Sequence, residues 1–234
     1  MEYLRDFCKE KNIDFSEKQS GQIKEFIRLL LDRNKVVNLT AIVDPVEVEI
    51  KHIIDSIEGV KIIRNLVSEE FSLLDVGCGA GFPGIPLKIF LLQGRFTLLD
   101  SLKKRIEFVN DVIRRLELQD IEAVAVRAED YKKKSSFDIC VSRAVAKTNV
   151  LLEYSLPFVK EGGYCILYKS QEFEEELKEA ETAINELGGK LFRVETFSLP
   201  NNNGKRSLII IKKIKKTPEK YPRRAGKPSK SPIR

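Results

Sequence analysis

The sequence predicts an α/β fold: a mostly parallel sheet with helices on both faces, an antiparallel hairpin at one edge and an N-terminal helical cap. Three observations carry this. From Phe71 onward, short apolar runs alternate with helical segments, the pattern of parallel strands covered on both faces. The last two strand candidates are separated by a turn and no helix, which makes them antiparallel neighbours. The first seventy residues carry helical periodicity and helix-start signals instead.

In chain order, Ser16-Glu17-Lys18-Gln19 fits a capping box, with Ser16 as N-cap and Gln19 at N3. Behind it Ile23, Phe26, Ile27, Leu30 and Leu31 fall on one helical face. Asp44-Pro45-Val46-Glu47 is a second start, with proline at the first helical position, and its helix is expected to run to about Asn65. These residues hold too little apolar surface for a core of their own. Residues 1–68 are therefore read as a cap packed on the sheet-forming part of the chain. FSLLDV (71–76), RFTLLD (95–100), IEAVAV (121–126), FDICVS (137–142) and YCILYK (164–169) read as buried strands. Helices are expected between them, notably over 102–117 and 173–187. Strands near 190–198 and 207–214 flank the turn Asn201-Asn202-Asn203-Gly204. The main domain is thus 69–214. Residues 215–234 have no hydrophobic period and are broken by four prolines, which predicts a flexible tail.

Composition narrows the class. No apolar run approaches the roughly 18 residues of a membrane span, and the N-terminus lacks the apolar segment of a signal peptide. Cys8, Cys78, Cys140 and Cys165 are scattered without metal-ligand spacing. A cytoplasmic protein with free thiols and no metal is the expectation. The net charge of +6 is uneven: residues 212–234 hold seven Lys and three Arg against Glu219, a net +9, leaving −3 for residues 1–211. A basic tail on an acidic body is either a solvated charge run or a contact to nucleic-acid phosphate.

The strongest motif is Leu73-Leu74-Asp75-Val76-Gly77-Cys78-Gly79-Ala80-Gly81-Phe82-Pro83-Gly84. A strand runs into a glycine cluster and then a helix, a backbone that can approach a ligand closely. Two registers fit. Gly79-x-Gly81-x-x-Gly84 matches the dinucleotide pattern, and Asp75-x-Gly77-x-Gly79-x-Gly81 an S-adenosylmethionine loop. Charge separates them. A pyrophosphate at the helix start would be repelled by Asp75, whereas S-adenosylmethionine brings a sulfonium and an ammonium that a carboxylate favours. Asp100 ends the next strand, 19 residues after Gly81, where it can accept ribose hydroxyls from either cofactor. Arg127-Ala128-Glu129-Asp130 ends the third strand, where class I (Rossmann-like) methyltransferases hold the adenine.

The end of the fourth strand speaks to the acceptor. The Asn/Asp-Pro-Pro-aromatic stretch of enzymes that methylate exocyclic amines is absent, and no cysteine follows a proline as pyrimidine C5 chemistry would need. Cys140 reads as core. Arg143 lies where open α/β sheets bind ligands; it can clamp phosphate or a guanine edge, or pair with a carboxylate. It is the candidate catalytic residue. Guanine N7 needs positioning but no base, which suits a site without an evident one. His52, the only histidine, shares a helical face with Asp55 and is either structural or part of the substrate cleft.

Asn38-Leu39-Thr40, Lys51-His52-Ile53-Ile54-Asp55-Ser56, the loop 75–86, Leu98-Leu99-Asp100-Ser101, Ser142-Arg143-Ala144 and Tyr221-Pro222-Arg223-Arg224-Ala225-Gly226 occur in this order. In these the chain resembles the glucose-inhibited division protein B family, the bacterial small-subunit (16S) rRNA guanine-N7 methyltransferases. The resemblance spans nearly the whole chain. It implies N7 methylation of one guanine near the ribosomal decoding site, S-adenosyl-L-methionine as cofactor, and rRNA within a ribosomal subunit or assembly intermediate as partner. Cofactor contacts carry over to Gly77, Phe82, Ala128, Glu129 and Arg143, with Asp75, Gly79, Gly81, Asp100 and Ser101 completing the set. Lys51, which many relatives replace by Arg, is an RNA-contact candidate with His52, Lys169, Arg223 and Arg224. A monomer is expected. The basic tail resembles only some branches of the family. The competing readings are a NAD-binding oxidoreductase and a non-catalytic RNA-binding or assembly factor.

Overall fold

A computed structural model describes residues 1–67, 70–143 and 146–234. The expected boundary at 68/69 and Ala144 of the Ser142-Arg143-Ala144 motif lie outside the described residues. Among the described residues seven strands form one sheet: β1 (Phe71–Val76), β2 (Gly94–Asp100), β3 (Ile121–Ala125), β4 (Phe137–Arg143), β5 (Val159–Ser170), β6 (Gly189–Ser198) and β7 (Lys205–Lys213). Their order is β3-β2-β1-β4-β5-β7-β6. The first five pair in parallel, and β7 pairs antiparallel with both β5 and β6. The sequence runs outward from β1 through β2 to β3, then restarts on the other side at β4. The crevice between the ends of β1 and β4 is therefore the switch point where such sheets bind ligands.

The central strands are largely apolar because both faces are covered, with Asp75 and Arg143 standing at or near the C-terminal ends of β1 and β4. On one face Leu73, Phe96 and Ile166 share a cluster with Phe26, Ile53 and Ile63 of the N-terminal helices. The cap and the sheet thus bury one common core, as the shortage of apolar residues in the cap requires. On the other face Leu74, Cys140 and Phe158 pack with Leu151, Ala183 and Leu187. The cap holds helices Glu2–Glu10 and Glu17–Asn34, then the run Pro45–Val48, Glu49–Ile54, Asp55–Ile57 and Gly59–Leu66, of which Glu49–Ile54 is a π turn. Both halves of the Ser16/Gln19 capping box form, and Asp44 caps Pro45–Val48 through the Glu47 amide.

The helix expected over 102–117 spans Lys103–Arg115. That expected over 173–187 is interrupted at buried Ala180, giving Glu174–Glu179 and Glu181–Glu186. Helix Thr148–Ser155 was not singled out from the sequence. Seven of its eight residues are buried, polar Thr148, Asn149, Glu153 and Ser155 among them, so no amphipathic period marks it.

The flexible tail is corrected by the structure. Residues 215–234 lie against the helical face opposite the cap, with Thr217, Tyr221, Pro228 and Ile233 buried. Arg223 makes a bidentate pair with buried Glu153. A few apolar anchors between prolines suffice to dock a segment whose periodicity is too weak to read.

Candidate active site

The glycine cluster after β1 turns the chain sharply: Gly77, Gly79 and Gly81 have φ of +76°, +56° and +96°, a region L side chains avoid. The Gly77 and Cys78 amides close onto the Leu99 carbonyl of β2. Asp75, fully buried, accepts a hydrogen bond from the Gly84 amide at 2.9 Å. A Cβ on Gly84 would stand 2.8 Å from that carboxylate oxygen and 2.9 Å from Leu98 Cγ, so only glycine fits. Asp75 therefore occupies the start of helix Gly84–Phe90, the place a dinucleotide pyrophosphate needs. The dinucleotide register loses its anion seat.

Asp75 Oδ1 is buried and has no hydrogen-bond partner among the described residues. Burial pushes this carboxyl well above the usual range, opposed by the Gly84 amide and the Arg143 charge. A buried lone pair without a donor suits a cationic ligand group, directly or through water. Asp100 ends β2 and collects the Gly79 amide at 3.0 Å, the Leu102 amide at 2.8 Å and Arg105 at 3.3 Å. These contacts fix its carboxylate at the mouth of the glycine loop, with Ser101 exposed beside it. A Cβ built on Gly79 would meet nothing within 4 Å, which leaves open space over the loop. Beyond β3, Ala128–Asp130 forms a single turn, and Glu129 accepts the Gly226 amide at 3.1 Å. These residues fit S-adenosylmethionine: an orphaned carboxylate for its ammonium, a second carboxylate for its ribose, and a glycine cradle without side chains.

Arg143 ends β4 and reaches across to the π turn. Its Nη1 donates to Asp55 Oδ2 at 2.9 Å and lies 3.3 and 3.4 Å from the Lys51 and His52 carbonyls. Its Nη2 lies 3.1 Å from His52 Nδ1. An i→i−4 helix would tie up these carbonyls more tightly; a π turn, rare and frequent at functional sites, presents them to one guanidinium. Because Arg143 has no lone pair to offer, His52 Nδ1 must accept, which leaves the proton on Nε2. That N–H donates to Thr40 Oγ1 at 2.8 Å. Thr40 is held by the Asn34 amide, whose oxygen also receives the Leu39 and Thr40 N–H groups. The imidazole stacks on Phe82 of the glycine loop, with centroids 4.7 Å apart, and Arg143 lies 5.0 Å over the same ring. Burial, then the Arg143 charge, push the His52 pKa down to about 3. His52 is neutral and fully engaged.

A cavity of about 400 Å³ opens beside this cluster, lined in part by Lys51, His52, Asp55, Arg143, Lys169 and Arg206. Lys51 pairs with Glu47 at 2.7 Å and Lys169 with Glu176 at 2.5 Å. Four of the residues singled out from the sequence thus meet on one wall. Arg223 and Arg224 do not line it: the Arg223 guanidinium is taken up by Glu153, and Arg224 is exposed on the C-terminal segment. Arg143 pairs with Asp55 of the cap and not with a carboxylate of the cofactor loop. Asn34 and Arg206 carry no signal in the sequence, and Thr40 enters there only within the Asn38-Leu39-Thr40 motif, without a role. Arg206 is visible only once β7 is in register, opposite Ser170 of β5. Among the described residues no group of three or more His, Cys, Asp or Glu gathers as a metal site, and no helix is long and apolar enough to cross a membrane.

Comparison with known proteins agrees with this geometry. The family model described as GidB, rRNA small subunit methyltransferase G, matches residues 19–209. A protein of Desulforamulus reducens named ribosomal RNA small subunit methyltransferase G is 47% identical over 234 residues, 98% of this chain and 97% of its own. One of the same name from Lachnoclostridium phytofermentans is 49% identical over 225 residues, covering 94% of this chain and 92% of its own. Among solved structures, M. jannaschii TYW2 in complex with AdoMet superposes with a TM-score of 0.54 at 17% identity, over 67% of this chain and 74% of that one. An rRNA methylase from Streptococcus thermophilus superposes with a TM-score of 0.50 at 12% identity, over 68% of this chain and 95% of its own. The two structures share the class I methyltransferase fold with this chain.

Proposed function

The chain belongs to the GidB family, rRNA small subunit methyltransferase G, and is an S-adenosylmethionine-dependent rRNA methyltransferase; we propose that its acceptor is N7 of a guanine near the decoding site of small-subunit rRNA. The observation that carries the choice of atom is the state of the cavity beside Phe82. Among the described residues lining it, none is poised as a base. His52 spends Nδ1 on Arg143 and Nε2–H on Thr40. Asp55 is paired with Arg143, and Tyr168 donates its hydroxyl to the buried Ser56 carbonyl. An exocyclic amine or N1 has a proton to lose; N7 attacks with an in-plane lone pair and loses none.

S-adenosylmethionine, when bound, supplies an electrophilic methyl group on its sulfonium. Asp75 would favour its cationic amino acid end, Asp100 would accept from its ribose hydroxyls, and Ala128 and Glu129 would hold its adenine. His52 and Arg143, held flat against buried Phe82, line the cavity and contribute orientation, the main demand of a base-free transfer. Methylation at N7 makes the purine cationic. An unpaired Arg143 guanidinium on the cavity wall would oppose that charge. Asp55 cancels it. Lys51, Lys169 and Arg206 line the cavity, and their charge supports reading them as contacts to RNA phosphates, which position the RNA while base contacts specify it. We further read the substrate as a ribosomal subunit or assembly intermediate, met by a monomer in the cytoplasm.

Mapping the methylated nucleotide on subunits treated with the enzyme tests the acceptor. The single-turnover rate should be flat from about pH 6.5 to 9. A rate climbing tenfold per pH unit through that range would mean that a base is required and N7 is wrong.

A further inference from the structure

The C-terminal segment lies beyond the residues the family model matches, yet it touches the cofactor loop. We propose that Tyr221–Gly226 is a positioning strap, which holds the Glu129 carboxylate through the Gly226 amide and so prepares the adenine side of the S-adenosylmethionine site. The inference rests on the assignment of Ala128 and Glu129 to that side.

Four observations support it. The strap is pinned on both sides of Gly226. Before it, the Arg223 amide and Nε each donate to Glu153 Oε1 at 2.8 Å, and Tyr221 is buried with its hydroxyl on Glu186. After it, Asn149 Nδ2 donates to the Ile233 carbonyl at 3.1 Å. Asn149 and Glu153 belong to the same helix, Thr148–Ser155, so both anchors share one rigid support. Tyr154 of that helix lies 3.1 Å from Ser229 Oγ, which ties the segment to the same helix just after Gly226. Tyr221 and Ile233 pack in the same apolar cluster as Val126, Ala128 and Tyr131 of the cofactor loop. Gly226 has φ +80°, which aims its N–H at the loop in a conformation L side chains rarely adopt. A carboxylate accepts about four hydrogen bonds, so Gly226 orients Glu129 while leaving it acceptors for a ligand amine. A surface glutamate without this contact would have to be ordered at each binding event.

The test is calorimetric titration of S-adenosylmethionine into the wild type, Gly226→Pro, Glu129→Ala and the double variant, all full length. Proline removes the N–H and fixes φ near −65°. Gly226→Pro is expected to weaken binding about tenfold, and to add less than twofold in the Glu129→Ala background. A segment that merely stabilised the fold would weaken both backgrounds alike, which overturns the proposal. A chain ending at Ala225 keeps Tyr221 and the Arg223–Glu153 pair, and repeats the measurement should the proline variant fail to fold. Affinity within twofold of wild type in both strap variants, with Glu129→Ala impaired, overturns the strap alone. Unchanged affinity in Glu129→Ala overturns the loop assignment and the strap with it.

Discussion

Acid should unfold this protein through His52, and the size of the effect comes from its surroundings. In the folded state burial and the Arg143 and Lys51 charges hold its pKa at about 3, against an ordinary 6.5. The folded protein refuses a proton that the unfolded chain accepts. The stability from the neutral ring is complete above pH 6.5 and is lost as pH falls toward 3, at about 1.4 kcal/mol per pH unit. Between pH 6.5 and 4.5 that is about 2.7 kcal/mol, roughly a hundredfold in the folding equilibrium. Asp55 works the other way, since burial raises its carboxyl and Arg143 only partly lowers it. A wild-type profile alone would mix the two. His52→Asn separates them, because its amide oxygen still accepts from Arg143 and does not titrate. Urea unfolding of both proteins at half-unit steps from pH 7.5 to 4.5 should show stabilities that converge below 6.5 with the slope above. Because the chain has one histidine, imidazole NMR shifts read its state directly. Parallel profiles, with the imidazole titrating near 6.5, would falsify the buried neutral tautomer.

Other perturbations probe the rest of the site. Asp75→Asn and Asp100→Ala should each weaken S-adenosylmethionine binding by roughly 1–3 kcal/mol, and calorimetry showing wild-type affinity in both would remove the cofactor assignment. Arg143→Lys keeps the charge opposite Asp55 but loses the fork that spans Asp55 and His52; methyl transfer should fall strongly in a folded protein, and an unchanged rate would count against Arg143. Arg143→Ala should cost about 3–5 kcal/mol of stability by leaving Asp55 buried alone, which a urea titration reads. Ending the chain at Ile214 strips Glu153 of its partner and removes buried Tyr221 and Ile233. The melting temperature should drop by on the order of 10 °C, and an unshifted melt would show that the segment does not dock in solution.

Much of the fold was legible because local and global signals agree. The capping box at Ser16, the buried runs at Leu73 and Val141, and the helix-free connection from β6 to β7 each name an element without tertiary help. The cofactor side was legible for the same reason, since Asp75, the three glycines and Asp100 lie within one strand–loop–strand unit. The acceptor side was half visible. Lys51, His52 and Arg143 stand out by residue type, but their partnership depends on β4 reaching a helix 88 residues earlier in the Arg143–Asp55 pair. Thr40 and Asn34 carry no chemical signature, and their role exists only because the π turn aims His52 at them. The C-terminal segment misled because charge and proline dominate its composition while three or four buried side chains decide its place.

The π turn also makes chain length matter where the cap meets the sheet. Each residue added to or taken from a helix rotates one end against the other by about 100° and shifts it by about 1.5 Å. At the start of the turn, buried Glu49 receives the Leu4 amide at 2.8 Å; downstream, Ser56 and Gly59 pack against Tyr168 of β5. Both ends of the run are clamped, so a one-residue deletion within Glu49–Ile54 cannot be absorbed by turning either end. It would straighten the helix and swing His52 off Phe82. A one-residue insertion is therefore expected to be tolerated at the exposed Asn201–Gly204 turn and not within Glu49–Ile54.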